Sequence, residues 1–290
     1  MLRVFLFLAT NIGIMAMISI IFKLLGLDGV LDKNGVDLNL NALLVMSAVI
    51  GMSGSIFSLF ISKWMAKRSM GVELIEQPST EDEYWLYQTV EKLAQKAGID
   101  MPEVGYFHND SPNAFATGWN KNNALVAVST GLLQTMTADE VEAVLAHEIC
   151  HVSNGDMVTL ALVQGVVNTF VVFFSRIIGH VVDRVILKNE SGHGIGYFVA
   201  SMAAQMVLGV LASIITMWFS RWREYHADAG AAKLSSPESM IAALRSLQGN
   251  KPEALPEDMA ALGIAGFQGL FSTHPPLEDR IQALVEGRHL

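Results

Sequence analysis

Two histidines four residues apart, with a glutamate after the first, stand in His147-Glu148-Ile149-Cys150-His151. On a helix, positions i and i+4 share a face. The two imidazoles could therefore grip one Zn²⁺, with Glu148 beside it to take a proton from bound water. A chain with 8 His among 290 residues produces this pattern by chance on the order of once in a hundred such chains. The competing reading is an amphipathic helix that shows two histidines to solvent. Cys150 lies inside the motif, about 100° around the helix from His151. It is the only Cys, which rules out an internal disulfide framework and leaves no redox partner.

A catalytic zinc takes three protein ligands and keeps one position open. Asp156 follows too closely and reads instead as the cap of the next helix. The better candidate lies in Ser220-Arg221-Trp222-Arg223-Glu224-Tyr225-His226-Ala227-Asp228, where Glu224 and Asp228 are again at i and i+4. Glu224 suits the ligand role. Asp228 suits the carboxylate that holds the free ring nitrogen of a zinc-bound histidine. His226 competes as ligand, but it points about 200° from Glu224 at about 100° per residue, so Glu224 is favoured. Without the histidine motif, these acidic residues would read as solvation of a helix end. His274, in Phe271-Ser272-Thr273-His274-Pro275-Pro276, is either a wall of the site or an ordinary helix start. Arg280, on the helix that follows, has an open role.

The elements that must position these residues are largely apolar. The chain is 51% hydrophobic and 16% charged, against about 25% charged in an ordinary soluble domain. Its mean hydropathy is +0.38. A formal charge of -9 argues against a nucleic-acid partner. Four stretches carry no Asp, Glu, Lys or Arg: Val4–Phe22, Leu40–Ser62, Met157–Ser175 and Ile195–Phe219. Each is close to the roughly 20 residues that cross a bilayer as a helix. The first follows Arg3 like a signal peptide, but its apolar run is too long for an h-region and no A-x-A site follows, so an uncleaved span is expected. Ser47, Gly51 and Ser55 in the second fall at the spacing that lets helices approach closely.

Lys63, Lys67 and Arg68 follow the second stretch and mark the cytoplasmic side. Arg176, Arg184 and Lys188, in the expected outer loop of the second hairpin, run against that rule. Two stretches separate His147 from Glu224, and this even number returns the chain to the side it left. The expected organisation is an N-terminal membrane hairpin (1–68), a cytoplasmic protease segment (69–156), a second apolar hairpin (157–219) and a second cytoplasmic segment (220–290). In the first cytoplasmic segment, Ser79–Ala97 reads as a helix with an acidic first turn and Gly98 as C-cap. Pro102–His108 and Ala124–Ser129 read as strands. A helix capped by Thr137 and Glu140 runs to Asn154-Gly155.

Several segments together carry a family resemblance: Ser62-Lys63-Trp64-Met65-Ala66, Glu76-Gln77-Pro78, Asn113-Ala114-Phe115-Ala116-Thr117-Gly118, Val126 through Leu133, the His147–His151 motif, Ser220 through Asp228, and Thr273-His274-Pro275-Pro276. The chain resembles the HtpX family of bacterial membrane-bound heat-shock zinc metalloproteases, relatives of the CAAX prenyl proteases. The resemblance implies an inner-membrane endopeptidase with a cytoplasmic active site, active in quality control of misfolded membrane proteins under stress. It implies Glu224 as third zinc ligand and Asn113–Gly118 as an edge strand beside the substrate, so that Asn113, Ala114, Phe115 and His274 are the substrate-contact candidates.

The expectation is a mainly α membrane protein of about four apolar helices, with a cytoplasmic α+β zincin-type domain carrying the HExxH helix. It would use one Zn²⁺ per chain, held by His147, His151 and Glu224 in the gluzincin manner, with Glu148 as base. Its partners would be the lipid bilayer and misfolded membrane proteins. The rival is a transporter or assembly protein stapled by a structural zinc. Such sites are closed by four protein ligands, and only three good ones are found here.

Overall fold

The computed structural model describes residues 39–189, 193–249 and 272–288. The expected first span, Val4–Phe22, lies outside them. The elements in chain order are α1 (Leu40–Met70), β1 (Glu73–Leu74), α2 (Glu81–Ala97), β2 (Glu103–Phe107), β3 (Ala114–Asn120), β4 (Asn123–Ser129), α3 (Thr130–Thr135), α4 (Ala138–Asn154), α5 (Asp156–Val181), a π turn (Val182–Ile186), α6 (Ile195–Leu234), α7 (Pro237–Gly249) and α8 (Leu277–Val285). Three helices among the described residues are long and apolar enough to cross a membrane: Leu40–Met70, Asp156–Ile186 and Ile195–Leu234. Each outruns its uncharged stretch. The backbone keeps its helical hydrogen bonds past the apolar residues, so Glu224 and Asp228 lie on the same continuous helix as Ile195–Phe219.

The chain divides into two compact units, Met1–Phe57 with Ala161–Thr216, and Ser58–Leu160 with Met217–Leu290. In the first, Ser47, Gly51 and Ser55 are buried. A Cβ on Gly51 would stand 2.5 Å from the Thr169 backbone nitrogen, and one on Gly165 would stand 2.6 Å from Ser55 Oγ. Absent side chains thus let α1 and α5 touch backbone to backbone, as the small-residue spacing predicts. Large apolar side chains such as Val49, Phe198, Met206 and Val210 remain exposed on the outer faces. Arg176 and Arg184 are not in a loop: they sit on α5 and the π turn. Arg176 lies over the Tyr197 ring and Arg184 donates to the Asn189 carbonyl.

The second unit holds a four-stranded sheet in the order β1-β2-β4-β3. β2 and β4 are parallel, and β1 and β3 run antiparallel to their neighbours. β4 is buried along nearly its whole length and β3 only at Gly118, as a central and an edge strand require. Their content of β-formers places β2 and β4 where the sequence predicts them. The two-residue β1 carries too little signal to be seen. Leu86, Val90 and Leu93 of α2 pack with Val126 and Val128 of β4, Leu145 and Ile149 of α4, and Leu244 of α7 in one core. Lys63 Nζ stands 2.9 Å from Glu103 Oε1, and Lys67 pairs with the other oxygen.

Candidate metal centre

Helix α4 is locked at both ends. The Glu140 carboxylate accepts from the Thr137 N–H at 2.8 Å and from its hydroxyl at 3.0 Å, and Ser246 of α7 donates to its other oxygen at 2.6 Å. At the far end Gly155 turns left-handed (φ 65°) and its N–H reaches the His151 and Val152 carbonyls. Between the caps, Ala143, Leu145, Ala146, Ile149 and Val152 bury the core face. The opposite helix, α6, approaches through the run Ala227-Asp228-Ala229-Gly230-Ala231-Ala232, where a Cβ on Gly230 would stand 2.6 Å from Cys150 Sγ. Close approach of two backbones brings short carboxylates within reach of the histidines. Burial pushes the Cys150 thiol up to about 12, which leaves it inert.

His147 Nε2 and His151 Nε2 are 3.1 Å apart. Glu224 Oε2 is 3.4 Å from the first and Glu224 Oε1 is 3.3 Å from the second. Ligands of one tetrahedral Zn²⁺, with bonds of about 2.0–2.2 Å, stand about 3.3–3.5 Å from each other. The other nitrogen of each ring faces a carboxylate: His147 Nδ1 lies 2.9 Å from Asp228 Oδ1, and His151 Nδ1 lies 2.8 Å from Asp156 Oδ2. A ring that gives its Nδ1 proton to a carboxylate turns a lone pair out at Nε2. Two such lone pairs and a carboxylate oxygen then meet in a buried space, and only a cation among them makes that arrangement favourable. The residues present therefore fit a divalent metal ion of the borderline type that binds nitrogen and oxygen. Without metal, a proton serves instead. Burial lowers the His151 imidazole, but its hydrogen bonds to Asp156 and Glu224 outweigh burial and hold it raised, at about 10.

Arginines hold both orienting carboxylates. Arg280 donates to Asp228 through Nε at 2.7 Å and Nη2 at 2.6 Å, and its Nη1 lies 3.3 Å from Glu224 Oε2. Arg223 pairs with Asp156. Sequence reasoning left the role of Arg280 open and missed that of Asp156. Asp156 is the first residue of α5 and not a cap before it, and the tight turn at Gly155 swings its carboxylate back onto His151. The signal available was its place directly after a glycine C-cap, five residues beyond the second histidine of the motif. His226 does not join the cluster: its ring nitrogen donates to the Trp222 carbonyl at 3.1 Å.

Glu148 is half-buried and lines a cavity of about 560 Å³ together with His147, Asn113, Ala114 and His274. His274 Nε2 lies 3.6 Å from Glu224 Oε2, with its side chain 59% exposed. Phe115 is elsewhere, its ring packed on Phe107 at 5.6 Å between centroids. β3 is the last strand of the sheet, so its outer backbone edge has no strand partner among the described residues.

Two imidazoles and a carboxylate at metal-ligand spacing, in a chain with helices fit to cross a bilayer, define the class as a membrane metalloprotease once the relatives are considered. Residues 80–288 match the model of peptidase family M48, and the chain belongs to that family. It is 61% identical over 290 residues to Protease HtpX of Pseudoalteromonas atlantica, covering 99% of this chain and 100% of that protein. It is 60% identical over 289 residues to the Protease HtpX homolog of Nitrosomonas europaea, covering 98% and 99%. The crystal structure of S. mikatae Ste24p shares the fold with a TM-score of 0.61 at 20% identity, over 92% of this chain and 66% of that one.

Proposed function

We propose that the chain is a zinc-dependent membrane endopeptidase that hydrolyses peptide bonds of misfolded or damaged membrane proteins, as part of a stress response. The observation that carries the reading is the convergence of His147, His151 and Glu224, with Asp228 and Asp156 behind the two rings. These three residues would hold one Zn²⁺, which when bound supplies polarisation of water and of the scissile carbonyl. Glu148 follows His147 on the same helix and takes the proton from the attacking water. As the carbon–nitrogen bond breaks, Glu148 returns that proton to the leaving amine. Asp228 and Asp156 keep each imidazole in the tautomer that binds metal through Nε2. An extended substrate lies along β3 at Asn113–Phe115, bonding through its backbone, which gives broad sequence tolerance. His274 stands beside it as a neighbour of the developing negative charge.

The reading includes four spans in the bacterial inner (plasma) membrane and an active site on the cytoplasmic side. Lys63, Lys67 and Arg68 support that side. Exposed Phe60, Trp64 and Trp119, with Phe60 and Trp119 rings 5.6 Å apart, supply aromatic groups suited to a bilayer interface. The test is cleavage of a denatured membrane protein by the purified full chain, with and without chelator, beside Glu148→Gln. Cleavage should require metal, return with Zn²⁺, and vanish in Glu148→Gln although metal content is unchanged. Cleavage that survives the chelator would overturn the reading.

A further inference from the structure

His180 and His193 meet at the tip of the second apolar hairpin, within the first unit. His180 is the last residue but one of α5, at the opposite end of that helix from Asp156, and His193 stands two residues before α6. Their Nε2 atoms are 3.3 Å apart. We propose that these two imidazoles bind a second divalent transition-metal ion, of the borderline class to which Zn²⁺ and Cu²⁺ belong, and that this ion staples the end of α5 to the start of α6. The proposal goes beyond the proteolytic reading above and does not depend on it.

The spacing is that of two ligands on one ion. Nitrogens bound to a tetrahedral metal at about 2.0–2.1 Å stand about 3.3–3.4 Å apart. Both rings present the same nitrogen to the same point, as His147 and His151 do at 3.1 Å. His180 is half-buried and His193 is exposed, so an ion can enter with water to complete its coordination. The rings are also held in place. The Tyr197 side chain is buried against them, with its ring centroid 4.8 Å from that of His180 and 4.2 Å from that of His193. Ligands fixed before binding lose little conformational freedom when the ion arrives.

The backbone around His193 is tied down by a buried carboxylate. Asp183 Oδ2 accepts from the Gly194 N–H at 2.9 Å and from Asn189 Nδ2 at 3.0 Å, and the Asn189 N–H donates to the Asp183 carbonyl at 3.0 Å. A Cβ on Gly194 would stand 2.7 Å from Asp183 Oδ1, so the residue after His193 must lack one for this closure. The charges close to the pair are Asp183, Arg176 and Arg184. Arg176 lies over the Tyr197 ring and Arg184 donates to the Asn189 carbonyl. Two cations against one carboxylate weaken the hold on a metal, so this ion binds less tightly than one held by His147, His151 and Glu224. Imidazole nitrogens exclude Mg²⁺ and Ca²⁺, which take oxygen, and place Cu²⁺ above Zn²⁺ in affinity.

The experiment is equilibrium dialysis of the full chain in detergent, without a histidine tag, against Zn²⁺. The wild type should take two ions per chain, and His180→Ala and His193→Ala one each. Glu224→Ala should lose the other ion and keep this one. With Cu²⁺ added to the Glu224→Ala chain, electron paramagnetic resonance should show coupling to two imidazole nitrogens. Removing either histidine should abolish that signal and weaken Cu²⁺ by at least about tenfold, since even the loss of a partner behind a ligand costs about 10–100-fold. His193 is exposed, so His193→Ala spares the packing, and an unchanged melting temperature in chelator verifies its fold. One zinc per chain that both histidine variants retain overturns the hairpin site and leaves the catalytic centre standing. A second ion that both variants retain lies elsewhere and also overturns it. One ion in the wild type that Glu224→Ala keeps and His193→Ala loses upholds the hairpin site and overturns the metal reading of the catalytic cluster.

Discussion

Asp156→Asn isolates the orienting role of the carboxylate that the sequence left hidden. In the wild type, one oxygen of Asp156 accepts from His151 Nδ1 at 2.8 Å and the other pairs with Arg223. An asparagine has the same shape but only one acceptor. Whichever way its amide turns, either the His151 N–H or the Arg223 guanidinium faces another donor. The imidazole then loses either its anchor or the charge that makes it a better ligand. Loss of such a partner typically lowers metal affinity about 10–100-fold, or about 1.4–2.8 kcal/mol. The assay is zinc affinity by competition with a chromogenic chelator, with the melting temperature of the metal-free protein measured on the same preparation. Asp228→Asn should also cost the metal-free fold, because Arg280 is nearly fully buried and loses the nearer of the two carboxylates it pairs with. An Asp156→Asn affinity within twofold of wild type would refute the orienting role.

Metal binding should release a proton. His151 is raised to about 10 in the metal-free protein, so between its ordinary value of about 6.5 and about 10 it holds a proton that the metal must displace. Affinity should rise about tenfold per pH unit across that window and fall as the medium is acidified; calorimetry in buffers of different ionisation enthalpy, showing no proton release at pH 7, would contradict this. Glu224→Ala should abolish both zinc binding and cleavage, while His226→Ala should leave zinc binding within a few-fold, as equilibrium dialysis can measure. Glu140→Ala removes the N-terminal lock of α4 and its tie to Ser246, and should cost about 1–2 kcal/mol in denaturant unfolding of the metal-free protein.

What was legible in the sequence is what depends on neighbours along the chain. Helix α4 announces itself through Thr137 and Glu140 at its start, a 3.6-residue apolar period along it and Gly155 at its end, all within one short stretch of chain. The same holds for α2, whose Thr80 and Glu83 form a capping box and whose Gly98 closes it. The apolar helices were visible as runs without charge, but their ends were not. A helix stops where its backbone hydrogen bonds stop, so α1 runs to Met70 and α6 to Leu234, well past the last lipid-compatible residue. β1 was invisible because two residues held by pairing to β2 need no pattern of their own.

The candidate site divides along the same line. His147, Glu148 and His151 lie within five consecutive residues of one helix, and Glu224 and Asp228 lie one turn apart on another, so each set is readable by periodicity. That α4 and α6 meet is not. It depends on the alanines and the glycine after Glu224, a run that reads as bland composition until Gly230 is found against Cys150. The partners of the partners lie further still: Arg280 reaches Asp228 across 52 residues, and Arg223 reaches Asp156 across 67. A buried carboxylate without a cation is costly, so each arginine is required by the acid it holds. The histidine motif therefore implies an arginine somewhere for every orienting carboxylate, without saying where. In this chain the two rings have separate supports, Asp228 with Arg280 and Asp156 with Arg223. Damage to one should weaken one ligand while leaving the other ring in place.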